Sequence, residues 1–223
     1  MMKAVVFDFD GTLTLKQTTL WKQIWARLGY DVGKDSYYKS LFYKFMDKKI
    51  THKEWCDLTC KAYKERGFNK DILNQLVGQM KLMDGVAELF KSLYDENIEI
   101  HIVSGNFVSV IKQVLGELAG FVTEIRGNEF VFDSNGEIAE IVGTKYDHEG
   151  KAVYITELCH QCGWAPKDIV FVGNSSNDEW VHKSGAKTLC VNPDETDVNN
   201  FTIWNNVLHT DNLQDIKNVL ISF

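Results

Sequence analysis

The chain has no run of 18 apolar residues in its 223, which excludes a membrane-spanning helix. It also lacks a positive balance. A net charge of −7 argues against nucleic acid as a general partner. The N-terminus, "MMKAVVFDFDGTL", has one lysine and a short apolar run that ends in acids, so it reads as a strand and not as a signal peptide. Cysteine is scarce and odd in number. Five cysteines without a signal segment imply reduced thiols and a cytoplasmic setting. "CHQC", Cys159 to Cys162, has no second CxxC and no HxxxH to complete a four-ligand zinc site. Cys159 falls in a helical pattern and reads as a small core hydrophobe. Cys56 and Cys60, four apart on another helical pattern, read as structural thiols in the same way.

What remains is ordinary globular composition, 44% hydrophobic and 25% charged. Short apolar runs alternate with helical patterns. The expected strands are 3–8, 98–103, 121–125, 168–172, 187–191 and 206–209, mostly apolar on both faces, as in a parallel sheet covered by helices. Helices are expected near 85–96, 107–118, 151–162, 177–184 and 212–221. The alternation predicts an α/β fold with a Rossmann-like open parallel sheet. A small β-hairpin interrupts it, "NEFVFDSNGEIAEIV", turning at Asn135-Gly136.

Residues 16–83 break the pattern. Their apolar residues recur at helical spacing: Trp21, Ile24, Trp25 and Leu28; Tyr38, Leu41, Phe42 and Phe45; Trp55, Leu58 and Ala62; Leu73, Leu76, Val77 and Met80. Four helices are expected, enough for a small helical bundle inserted after the first strand. The division is therefore a core domain of 1–15 and 84–223 with an inserted domain of 16–83. Charge divides the same way. Residues 16–82 hold 14 Lys and Arg against 7 Asp and Glu, and the remainder 10 against 24. This bias fits two solvated surfaces of opposite sign, or a basic lid that draws an anion to an acidic site.

The polar residues gather at strand ends, where open parallel sheets bind ligands. The first strand ends in Asp8-Phe9-Asp10-Gly11-Thr12. Asp8 closes the apolar run Val5-Val6-Phe7, where a lone carboxylate is costly to bury and a cation would relieve the cost. Oxygen donors in this number suit Mg²⁺. The second strand ends in Ser104-Gly105-Asn106 before a helix, a hydroxyl and free amides suited to an anion. Lys151 opens a later helix, where its charge opposes the dipole and so suggests another task. The fourth strand ends in "VGNSSNDEW", with one carboxylate, Asp178, in its first seven positions. Together these ends describe a metal-assisted phosphoryl site.

In these residues the chain resembles the haloacid dehalogenase superfamily, in its phosphoserine-phosphatase-like branch. DxDGT matches Asp8 to Thr12, the strand-end Ser or Thr matches Ser104, the helix-opening lysine matches Lys151, and GDxxxD matches Gly173 to Asp178 imperfectly. The inserted helices match that family's cap. The resemblance implies a Mg²⁺-dependent phosphatase of a small phosphorylated metabolite, acting through an aspartyl-phosphate. Asp8 would be the nucleophile and Asp10 the general acid and base; the second acid favours phosphatase over dehalogenase. Ser104, Gly105 and Lys151 would bind phosphate. The metal would lie among Asp8, the Asp10 carbonyl, Asn174 and Asp178, supported by Thr12, Asn106 and Asn177.

Two departures follow from the same resemblance. Asn174 stands where the family has a metal-binding Asp. Gln17 stands where phosphoserine phosphatases have a glutamate for the substrate amine, and "THKEWCDLTCKAY" lacks their substrate-binding arginine. Gln17 and the missing arginine argue against phosphoserine as the substrate. The alternatives are a non-catalytic phosphate-binding or regulatory protein, and a phosphotransferase. The expected partners are a small phosphorylated metabolite only, with no nucleic acid and no membrane, in a monomer or homodimer.

Overall fold

A computed structural model describes residues 2–16, 19–193 and 201–223. Seven strands form one sheet in the order β4-β3-β2-β1-β5-β6-β7. They are β1 (Ala4–Phe7), β2 (Glu99–Phe107), β3 (Glu124–Phe132), β4 (Ile138–Val142), β5 (Ile169–Gly173), β6 (Lys187–Val191) and β7 (Asn206–Leu208). All neighbours are parallel except β3 and β4. The central strands β1 and β5 are buried along their whole length, which accounts for their unbroken apolar runs.

The hairpin does not interrupt the sheet. The expected 121–125 strand and the hairpin's first arm are one continuous strand, β3, parallel to β2 at its start and antiparallel to β4 at its end. The strand at 98–103 also runs on to Phe107, so Ser104, Gly105 and Asn106 lie within β2. The register between β2 and β3 shifts between Val103 and Phe107. That irregularity takes the Ser104–Asn106 backbone out of the regular ladder. Gly127 permits it, because a Cβ there would lie 2.6 Å from the Asn106 carbonyl oxygen.

The helices are α1 (Leu20–Arg27), α2 (Tyr37–Met46), α3 (His52–Glu65), α4 (Lys70–Val77), α5 (Val86–Asp95), α6 (Val108–Leu115), α7 (Glu149–Cys162) and α8 (Ile216–Ile221). Local signals set their starts. Ser36, Thr51 and Asn69 cap α2, α3 and α4, and Thr51 with Glu54 completes a capping box. The helix expected at 177–184 is a 3-10 segment, Ser176–Ser184. Asp178 is the physical reason. Its Oδ2 accepts from the amides of both Asn174 and Ser175, and its own amide donates to the Ser175 carbonyl, which tightens the turn.

Helices α1–α4 form the expected insertion. Its entry and exit run side by side: Leu15 N donates to Lys81 O and Met83 N to Leu13 O. The insertion has no separate core, however. Leu20, Ile24, Trp25, Trp55 and Tyr63 share one apolar cluster with Val5, Phe7, Phe90 and Phe107. The other face of the sheet buries a smaller cluster that includes Val6, Tyr154, Ile155 and Phe171. All five cysteines are free, and Cys159 is buried in α7 as expected of a core thiol. Among the described residues, no helix is long and apolar enough to cross a membrane.

Candidate active site

The site forms where β1, β2 and β5 end and α7 begins. Asp8 is buried just beyond β1, and its amide donates to the Val172 carbonyl of β5. The chain then turns back on itself, with the amides of Thr12, Leu13 and Thr14 all donating to the Phe9 carbonyl. Gly11 makes this turn at φ +77°, and a Cβ there would lie 2.5 Å from Asn174 Nδ2. Backbone conformation and space both call for glycine. The turn presents Asp10 to the same cavity as Asp8.

Lys151, on the first turn of α7, is fully buried. Its Nζ donates to Asp8 Oδ1 at 2.7 Å and to Asp178 Oδ1 at 2.5 Å. Burial alone would lower the lysine's pKa, but Asp178 and Asp8 more than offset that and raise it far above its usual range. For Asp8 the balance goes the other way. Burial raises its carboxyl more than Lys151 lowers it.

Asp10 is held by Asn106, whose Nδ2 donates to both carboxylate oxygens at 3.1 and 3.0 Å. Burial pushes Asp10 up to about 6 against that hydrogen bond and the Lys151 charge. The shift suits a group that must hold a proton and then release it near neutral pH. Asn106 Oδ1 accepts from the Phe107 amide, which fixes the orientation of the side chain. Ser104 and Gly105 line the same cavity, and Ser104 Oγ accepts from the Asn106 amide at 3.2 Å.

The fourth strand end packs against Lys151 and the Gly11 turn. Asp178 has both oxygens engaged, one by Lys151 and the other by the Asn174 and Ser175 amides. It anchors the lysine and the loop. Asn174 Oδ1 accepts from the Thr12 hydroxyl at 3.2 Å, so Thr12 is tied to this loop. Asn177 Oδ1 accepts from Ser175 Oγ, and its Nδ2 donates to Asp147 at 3.0 Å. Gln17 lies outside the described residues.

Three residues at the site were not singled out in the sequence. Asp147 lines the cavity and crowds Gly105, where a Cβ would lie 2.4 Å from its Oδ2. Its own burial would raise its carboxyl, but His148, Lys151 and the hydrogen bond from Asn177 together hold it below the usual range. Its position one turn before Lys151 is the signal that marks it. Trp21 Nε1 and Asn128 Nδ2 both donate to the Gly105 carbonyl, at 3.0 and 2.8 Å. The first of these bonds ties the inserted helices to β2.

Among the described residues, no group of three or more His, Cys, Asp and Glu side chains converges as a ready cation cluster. Mg²⁺ does not require one. It is held by one or two carboxylates, further oxygens, waters and substrate phosphate. Asp8 has one oxygen outside the Lys151 bond, the Asn174 amide oxygen retains a second lone pair, and the Asp10 carbonyl belongs to the same turn. Burial also disfavours the charged forms of Asp8 and Asp10, a cost that a cation would offset. The donor chemistry fits a hard divalent cation.

The comparisons agree with this geometry. The family model for haloacid dehalogenase-like hydrolases matches residues 5–179. A phosphoserine phosphatase of Archaeoglobus fulgidus is 26% identical over 196 residues, covering 86% of this chain and 53% of that protein. A probable phosphoserine phosphatase of Schizosaccharomyces pombe is 23% identical, covering 79% of this chain and 56% of that one. The chain thus spans about half the length of these curated relatives. In fold it is similar to a solved phosphoserine phosphatase, an analogue of the phospho-aspartyl intermediate, with a TM-score of 0.72, 17% identity and 98% coverage of both chains. With its three strand-end motifs lining one cavity, the helix-opening Lys151 buried against Asp8, and the family match running from β1 into the Ser176–Ser184 segment, the chain belongs to the haloacid dehalogenase-like hydrolase family.

Proposed function

We propose that the chain is a phosphatase of a small phosphomonoester, working through an aspartyl-phosphate on Asp8 with Mg²⁺ as cofactor. The observation that carries this reading is the division of labour between two carboxylates in one cavity. Asp8 is held by a lysine, and Asp10 is held by an amide and burial at a pKa of about 6.

In the first step an Asp8 oxygen attacks phosphorus while the ester P–O bond breaks, and Asp10 gives its proton to the departing oxygen. In the second step Asp10, now a carboxylate, takes a proton from water. The water oxygen attacks phosphorus, the Asp8–phosphorus bond breaks, and inorganic phosphate leaves. Ser104 and the Gly105 amide hold phosphoryl oxygens, while Lys151 balances the charge of Asp8. Mg²⁺, held by Asp8, the Asp10 carbonyl and Asn174, with Asp178 behind Lys151, would supply charge neutralisation of the phosphoryl group.

Purified protein is expected to hydrolyse p-nitrophenyl phosphate with Mg²⁺, and Asp8→Asn to abolish this. Activity that survives the substitution sinks the mechanism. Asn174 favours a second reading, binding of a phosphorylated ligand without turnover, because an amide oxygen holds Mg²⁺ less strongly than a carboxylate. Phosphate-ester binding with no release of inorganic phosphate at any Mg²⁺ concentration would decide for that reading.

A further inference from the structure

The cavity over Asp8 and Asp10 encloses about 440 Å³. Sites for drug-sized ligands span roughly 300–1,000 Å³, so this one has room for far more than a phosphoryl group and a short chain. Its outer wall, on α1, α2 and α3, is made of rings: Trp21, Tyr38, Phe42, Phe45, His52 and Trp55. Four of them, Trp21, Phe45, His52 and Trp55, form a continuous cluster. Trp21 and Trp55 have centroids 4.4 Å apart. Trp55 stacks on Phe45 at 5.8 Å and 23°, and on His52 at 5.6 Å and 20°. Phe42 and Phe45 are only half-buried. A second cavity of about 510 Å³ shares Phe45, His52, Asp147 and His148 with the first, so the ring wall continues outward.

Charge narrows the occupant further. The outer wall carries Lys22 and Lys39, while the carboxylates that line the cavity, Asp8, Asp10 and Asp147, all lie on the sheet side. A leaving-group ammonium against the outer wall would face two lysines, with Asp147 across the cavity already engaged by Asn177 and His148, so its desolvated charge would be poorly compensated. A flat ring gains stacking area on Phe42 and Phe45, which Trp55 supports from behind, and an anionic or neutral substituent on it suits the two lysines.

We infer that the site takes a phosphomonoester whose leaving group is a flat aromatic or heteroaromatic alcohol without an ammonium group, with the half-buried Phe42 and Phe45 as its ring-binding surface, Phe45 being backed by the buried Trp55. This rests on the phosphatase reading of the same site.

The test compares 2-(2-naphthyl)ethyl phosphate, propyl phosphate and O-phosphoserine, all alkyl esters, so that intrinsic leaving-group reactivity does not set the order. The naphthyl ester is expected to exceed propyl phosphate in kcat/KM by about tenfold, and phosphoserine to fall below both. Phe45→Ala and, separately, Phe42→Ala should each lower the naphthyl-to-propyl ratio, with folding checked by far-UV circular dichroism. Turnover with equal kcat/KM for the naphthyl and propyl esters overturns this inference and leaves the phosphatase reading standing. If no ester is turned over, the phosphatase reading fails, and the binding of 2-(2-naphthyl)ethylphosphonate against propylphosphonate, by titration calorimetry, decides the inference. About tenfold tighter naphthyl binding supports it, and equal binding overturns it.

Discussion

Lys151 Nζ lies between Asp8 Oδ1 and Asp178 Oδ1, at 2.7 and 2.5 Å, with all three side chains buried. One cation from the start of α7 thus joins a carboxylate just past β1 to one just past β5. Removing either acid would leave the other paired, but removing the lysine strands two buried charges. Lys151→Met should therefore cost about 3–5 kcal/mol of stability, read from urea unfolding, in addition to abolishing turnover. Adding Asp178→Asn to Lys151→Met should recover part of the loss. A Lys151→Met protein as stable as the parent would show that the three groups are not coupled.

Asn106 holds Asp10 in its charged form through two hydrogen bonds to the carboxylate, and these lower its pKa against burial. Asn106→Leu removes them while keeping the volume, so the Asp10 pKa should rise from about 6. Leaving-group protonation requires the protonated acid. With an alkyl phosphate, the rate of the first step should therefore persist to higher pH than in the parent. The alkaline limb of a single-turnover pH profile should move upward, with a lower maximum because Asp10 is less firmly held. A limb that stays in place or moves down would separate Asn106 from Asp10.

The sheet, the four inserted helices, the three strand-end motifs and the helix-opening lysine were legible in the sequence because each rests on local signals: apolar periodicity, caps and polar punctuation. What was not legible depends on contacts between distant segments. The continuity of β3 through the hairpin follows from its pairing with β2 on one side and β4 on the other. The 3-10 form of 176–184 follows from the Asp178 carboxylate folding back on the loop amides, whereas periodicity reports only a helix-like spacing. Asp147 stands one turn before Lys151 in sequence, but its place in the site depends on the packing of the α7 start against Gly105 and Asn177. The ring wall was half legible. The inserted aromatics are evident, but which of them face the cavity and which fill the core depends on how the helices are docked.

His101, buried in β2, is held between the Tyr154 hydroxyl at 2.7 Å and Glu99 at 3.0 Å, with Glu124 also bonded to that hydroxyl. Burial lowers its pKa more than Glu99 and Glu124 raise it. The unfolded chain then binds more protons than the native state below the ordinary histidine pKa of about 6.5. The contribution of this histidine is present above that pH and is lost as the pH falls through its folded value. His101→Gln does not titrate there. The difference in unfolding free energy between parent and His101→Gln should shift in favour of the variant on acidification, in chemical denaturation at a series of pH values. A difference independent of pH would show that His101 keeps its solution pKa.

Residues 16–82 carry a net +7 against −14 elsewhere, and Lys22 and Lys39 stand at the cavity itself. If this charge captures anionic substrate, salt should weaken the encounter more than the chemistry, because exposed charges are screened over about 8–10 Å at ordinary ionic strength. The expected result is a kcat/KM that falls with added NaCl while kcat changes little. A flat response in both would remove any role for the cap charge in capture.

Asn174 is the family departure with the most direct test. Its side chain already sits against the Gly11 turn and accepts the Thr12 hydroxyl, so Asn174→Asp replaces one oxygen acceptor with another of the same shape. The carboxylate keeps the Thr12 bond and adds a negative charge beside Asp8. Without a cation, that charge deepens the crowding of acids around Lys151, and the variant should unfold more readily than the parent in EDTA. With Mg²⁺ the same charge becomes a stronger oxygen donor, so binding should tighten by about tenfold and the stability order should reverse. Titration calorimetry and thermal unfolding, each with and without Mg²⁺, check both halves. Unchanged Mg²⁺ affinity would place the cation away from residue 174 and return the site to Asp8 and the Asp10 carbonyl alone.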